Sequence, residues 1–80
     1  MTTKEKYNKA FIDSFSIEPS QLGEALVYNQ IPSWDSIGHM TLISACEEAF
    51  NVSMETDDII NFSSYHKGME ILTAKYGIKF

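Results

Sequence analysis

Apolar positions recur at helical spacing in three stretches of this chain. Tyr7, Phe11 and Phe15 stand at i, i+4 and i+8, flanked by Ala10 and Ser14, and mark one face of a first helix over residues 3–16. Lys4, Lys6 and Asp13 fall elsewhere on the wheel. Met40, Ile43, Cys46 and Phe50 follow a 3-3-4 spacing, and Ile37 and Leu42 widen that face. They predict a second helix from about Ser36 to Phe50. Tyr65, Met69, Leu72 and Tyr76 give a 4-3-4 stripe to a last helix. Before it, Thr56-Asp57-Asp58-Ile59-Ile60 predicts a short helix. Thr56 is its cap, and two acids sit in the first turn where the dipole favours them.

Residues 17–34 carry no sustained period. Pro19 and Pro32 punctuate them, with Gly23 between. So long a connection is uncommon in a compact domain and points either to a functional loop or against the helix assignment around it. Leu22, Leu26, Val27, Tyr28 and Ile31 predict that apolar contacts pin it. The run from Pro19 to Glu24 is suited to one helical turn, and Pro32 biases Ile31 toward an extended, strand-like approach to the second helix.

Cap residues sit at the element ends. Asp35 or Ser36 supplies the oxygen for the second helix, and Asn51 suits the left-handed residue at its end. Ser63 or Ser64 caps the last helix and Gly77 stops it, with Ile78 and Phe80 folding back onto the core. The expected fold is all-α: a four-helix bundle with a long first loop and a short third helix, one domain over residues 1–80. Its core comes from Tyr7, Phe11, Phe15, Leu26, Met40, Ile43, Cys46, Phe50, Ile59, Phe62, Tyr65, Met69 and Leu72.

Composition narrows the class. A chain of 80 residues buries only about 60 % of its unfolded surface, so every core position matters. The 44 % hydrophobic and 21 % charged fractions fit a folded, soluble chain. No apolar run approaches the roughly 20 residues of a membrane span. The first residues lead into polar sequence without an apolar signal region, so the expected compartment is the cytoplasm. The single cysteine, Cys46, excludes an internal disulfide and a cysteine zinc site.

Charge is unevenly placed. The 6 basic residues are all lysines, and none lies between Ala10 and His66. That stretch holds nine of the 11 acids: Asp13, Glu18, Glu24, Asp35, Glu47, Glu48, Glu55, Asp57 and Asp58. Such an unneutralised acidic surface repels phosphate backbones, which argues against nucleic acid, and steers basic proteins toward itself. Glu47 and Glu48 lie late in the second helix, against its dipole, which hints that a partner uses them.

Little catalytic equipment is present. Ser36 and His39 are i, i+3 and share a helix face, but no glycine-rich oxyanion loop accompanies them and a small helical domain leaves little room for a substrate. His39 reads instead as a surface residue or as part of the frame around Ser36. Glu55, Asp57 and Asp58 lack the alternation of a calcium loop, and no phosphate loop occurs. What remains is one serine at a helix start. There the free backbone N–H groups and positive dipole end favour a phosphodiester, and Asp35 beside it is suited to a metal-bound phosphate donor on an incoming enzyme.

At Asp35-Ser36-Ile37 the chain resembles the acyl carrier proteins, including the related peptidyl carrier domains. Their signature is Asp-Ser-Leu or Asp-Ser-Ile at the start of the second of four helices. The resemblance extends over nearly all 80 residues: the first helix, the long loop, Glu47-Glu48, the short helix at Asp57-Asp58-Ile59 and the last helix from Ser64. It implies a covalent 4′-phosphopantetheine on Ser36, with Asp35 and Ile37 as its motif neighbours. It also implies a partner face of Met40, Glu47, Glu48 and Asp58. Such a monomeric carrier performs no chemistry. A phosphopantetheinyl transferase modifies it, and acyl-loading, acyl-transfer or condensing enzymes with basic patches dock on it.

One departure matters. Housekeeping fatty-acid carriers have an acid two residues after the serine, and this chain has Gly38, then His39, with Trp34 before the motif. That pattern looks more like carriers of a specialised pathway, such as polyketide, peptide or surface-glycan acylation, and Gly38 is expected to let the arm or the transferase approach the backbone. The alternative expectation is an acidic helical adaptor that docks through its second-helix face and is never modified.

Overall fold

The structure is a computed structural model describing residues 1–80. It contains four α-helices: α1 (Thr3–Phe15), α2 (Ser36–Phe50), α3 (Thr56–Asn61) and α4 (Tyr65–Tyr76). The all-α expectation holds, with the short third helix where the pattern put it. None of the helices is long and apolar enough to cross a membrane.

Local chemistry sets most helix ends. Thr2 and Glu5 form a capping box on α1, the hydroxyl accepting from the Glu5 amide and the carboxylate from the Thr2 amide. Ser16, Asn51 and Gly77 close α1, α2 and α4 in the left-handed region. Ser64 caps α4, accepting from the Lys67 amide at 2.9 Å. Thr56 does not cap α3: the capping position is Glu55, which makes no side-chain cap bond, and Thr56 is the first helical residue.

The core is aromatic. Tyr7, Phe11, Phe15, Trp34, Phe62 and Tyr65 are all buried. Phe11 lies edge-on to Trp34 at 5.5 Å and to Tyr65 at 5.2 Å. The Tyr7 hydroxyl donates to the Tyr65 carbonyl at 2.6 Å, and the Tyr65 hydroxyl donates to Asn8. Burial raises both phenol pKa values above the ordinary one. Ala10, Leu26, Leu42, Ile43, Cys46, Met54, Ile71 and Leu72 complete the core, and burial is the chief cause that pushes the Cys46 thiol up to about 12. The chain folds back at its end, with Phe80 edge-on to Tyr7 at 5.1 Å.

The expected core needs revision on α2. Met40 is 51 % exposed and Ile37 is 80 % exposed. Phe50, Ile59 and Met69 are only partly buried. The buried stripe of α2 is Leu42, Ile43 and Cys46, and it is continued N-terminally by the half-buried His39 rather than by Met40. The spacing 39, 42, 43, 46 is a helix face whose first member is polar, so an apolar count slid to its neighbour.

Backbone as well as side chains ties the long loop down. Pro19–Gln21 form a single 3-10 turn. Leu26 is buried, and Leu22 and Ile31 pack on the core, whereas Val27 and Tyr28 keep exposed side chains. The amide of Tyr28 donates to the Ser63 carbonyl at 2.8 Å and that of Tyr65 to the Leu26 carbonyl at 2.9 Å, an isolated antiparallel bridge between Val27 and Ser64. The loop thereby reaches the α3–α4 junction. Ile31 does not lead in as a strand: the Trp34 amide donates to the Ile31 carbonyl at 3.1 Å, closing a turn over Pro32 and Ser33.

Candidate functional site

Asp35 and Ser36 divide the work at the start of α2. Asp35 is the cap: its Oδ1 accepts from the Gly38 amide at 2.8 Å. Ser36 is the first helical residue, is exposed and has no capping duty. The Ser36 and Ile37 amides have no partner within the fold. The Ser36 hydroxyl meets one protein group, the Tyr28 phenol, whose oxygen lies 3.3 Å from Oγ. That is long for an O–H···O bond, so the serine is held loosely.

Tyr28 was not legible as a neighbour of Ser36. The contact depends on the path of the loop. Asn29, at φ 67, turns the chain, and its amide donates to the Trp34 carbonyl at 2.9 Å, which brings the phenol over the helix start. The Tyr28 ring then stands edge-on to His39 at 5.6 Å and to Trp34 at 6.3 Å.

Trp34 and His39 form the base of the site. Trp34 is fully buried, and its indole N–H donates to His39 Nδ1 at 2.9 Å. An indole N–H can only donate, so Nδ1 is the bare nitrogen and Nε2 carries the proton. Nε2–H then donates to the Ile59 carbonyl of α3 at 2.8 Å. The imidazole thus straps the loop to α3 through α2. Of the two expectations for His39, it frames the site. Both its ring nitrogens are engaged within the fold, and neither bond is to Ser36.

Gly38 has an internal reason. A Cβ on it would collide with the Ser33 carbonyl oxygen, so glycine is there because the loop backbone lies directly on the helix. The close approach seen here is that of the protein's own chain.

The acidic residues part company. Glu47 Oε2 accepts from the Met54 amide at 2.8 Å and so organises the turn after α2. Asp58 is buried, 2 % exposed, between Lys75 at 2.8 Å and the Tyr76 hydroxyl at 2.6 Å. Neither is a free member of an outward acidic face. Asp13 is paired with Lys9 at 2.7 Å. The acidic middle of the chain is therefore partly neutralised within the fold. Glu48, Glu55 and Asp57 stay exposed, as does Asp35, which keeps one carboxylate oxygen free of cap duty.

Around Ser36 the surface is more apolar than the charge pattern suggested. Ile37, Met40 and Ile60 are exposed by 80 %, 51 % and 70 %. Met40 and Ile60 flank an open groove of about 410 Å³ that begins at Ser36 and Tyr28 and runs over His39 and Ile59 to Phe62. Comparison with protein-family models, with curated proteins and with solved structures finds no match for the chain.

Proposed function

We propose that the chain is an acyl carrier, modified on Ser36 with 4′-phosphopantetheine. The observation that carries the reading is the division of labour at the start of α2. A serine in the Asp-Ser-Ile motif is exposed and free of structural duty because its neighbour does the capping. The thiol of such an arm would hold acyl groups as thioesters for transfer between enzymes. The residues present suit the group. Ser36 Oγ is reachable by a phosphopantetheinyl transferase, and it would displace the nucleotide half of a coenzyme A pyrophosphate while its proton leaves to a base on that enzyme. The unpartnered Ser36 and Ile37 amides at a helix start favour the resulting phosphodiester charge. Asp35 Oδ2 points no bond into the fold and is free to meet a metal held by the transferase.

The docking face we assign differs from a purely acidic one. Ile37, Met40 and Ile60 would supply apolar contact to the transferase and to acyl-loading or condensing enzymes, with Glu48 and Asp57 as charged outposts for basic patches. Gly38 in place of an acid keeps the first turn uncharged, in line with a specialised biosynthetic pathway. The same exposed apolar residues would also serve an adaptor that is never modified. Intact mass separates the two. After incubation with a broad-specificity phosphopantetheinyl transferase and coenzyme A, the carrier gains one phosphopantetheine, and Ser36→Ala gains none while keeping its melting temperature. An unmodified wild-type chain, or an adduct on Ser36→Ala, overturns the carrier reading.

A further inference from the structure

We propose, resting on the carrier reading, that the cargo is a short or polar acyl group carried outside the helices, because the seam leading from Ser36 into the core is bolted by His39. An apolar chain swung from Ser36 meets the groove between α2 and α3 first. To leave water it would have to pass beneath that groove, and there the imidazole blocks it. The ring bonds Trp34 on one side and the Ile59 carbonyl on the other, at 2.9 and 2.8 Å. It stacks nearly parallel to the indole at 6.2 Å and meets Phe62 edge-on at 6.1 Å.

Nothing hollow lies behind the bolt. Trp34 and Phe62 are fully buried, and Trp34 touches Phe11 and Phe15, with ring centres 5.5 and 5.2 Å away. Every surface depression of the chain opens to solvent. The radius of gyration, 11.3 Å, is already at the roughly 12 Å expected for a compact chain of 80 residues. Inserting a long chain would break both imidazole bonds, leave a buried indole N–H and a carbonyl unpaired, and overpack an aromatic core. A short group gains instead by covering the exposed Met40 and Ile60. Methylenes beyond the groove stay in water and stabilise nothing.

The test loads the full chain from acetyl, butyryl, octanoyl and dodecanoyl coenzyme A, with intact mass to confirm each product. Melting temperature and amide exchange are then compared across the series. Octanoyl and dodecanoyl forms are expected to melt within about 1 °C of the butyryl form, which for a domain this size leaves only a fraction of one buried methylene. Releasing the bolt with His39→Ala, or more gently with Trp34→Phe, is expected to make melting temperature rise with chain length. A wild-type melting temperature that climbs steadily from butyryl to dodecanoyl, with slowed exchange in α2 and α3, overturns the inference and leaves the carrier reading intact. Flat series in both variants overturn the role given to His39. Failure of the wild-type chain to accept any arm overturns the carrier reading itself.

Discussion

Gly38 carries a structural duty through the side chain it lacks. Alanine there would favour the helix by about 1 kcal/mol on intrinsic propensity. Against that stands the Ser33 carbonyl, which a Cβ would strike. The carbonyl has no freedom to retreat, because the next residue is anchored at its amide, its carbonyl and its indole. Overpacking of this kind costs roughly 1–3 kcal/mol, so the clash wins. Gly38→Ala is expected to lower the melting temperature by about 4–8 °C for each net kcal/mol lost, and calorimetry checks it. A variant as stable as the parent would show that the loop moves off the helix freely. Asp35 sets the comparison scale: a cap of its kind contributes about 1 kcal/mol. The sequence showed the cap because capping is local. The reason for glycine at 38 lies in the loop backbone lying on the helix, and that for Trp34 in its indole bond to His39 and its packing on Phe11 and Phe15, contacts that no residue pattern displays.

At the scale of elements, the joint between α3 and α4 is ionic. Asp58 accepts from Lys75 and from the Tyr76 hydroxyl, and that hydroxyl in turn accepts from the Glu55 amide at 2.8 Å. Charge and hydrogen bonds lower the Asp58 carboxyl from its ordinary 3.8, with Lys75 the largest cause and Tyr76 next. The same pairing raises Lys75 above 10.5. A lowered acid stabilises the fold fully above its unfolded value and loses that contribution as pH falls through its folded one. A raised base contributes fully below its unfolded value and loses it as pH rises beyond. The joint should therefore hold at neutral pH, weaken as pH drops below 3.8, and weaken again above 10.5. Melts across pH are expected to show both flanks, and Asp58→Asn should flatten the acid one; an unchanged acid flank would mean that other carboxylates dominate it. Helix existence was legible from periodicity and helix ends from caps. The inward turn of Asp58 was not. Two acids in a first turn read alike, and only the partners in α4, Lys75 and Tyr76, select which one is buried.

Over the whole molecule, the long loop is where sequence and structure differ most in content. Its apolar residues announced that it would be pinned, and Leu22, Leu26 and Ile31 do that. Its destination was hidden. The bridge between Val27 and Ser64 joins segments far apart in the chain, and such pairing leaves no local signature. The placement of Tyr28 over Ser36 follows from that path, so the site was legible as a motif and illegible as a place. Likewise, His39 stayed open between surface and frame because polarity was read without its partners; two hydrogen bonds make it part of the interior framework.

The burial of Cys46 has a practical corollary for testing the proposed carrier role. The chain's one sulfhydryl is sealed in the core and is held almost wholly as the unreactive thiol at neutral pH. The native unmodified chain should therefore be silent toward a thiol reagent such as dithionitrobenzoate. One equivalent of colour should appear once an arm is attached and vanish when the arm is acylated. Prompt reaction of the unmodified native chain would show that the core opens to reagent. If the unmodified chain stays dark, a simple colorimetric titration counts free arms directly, and no cysteine needs to be engineered away first.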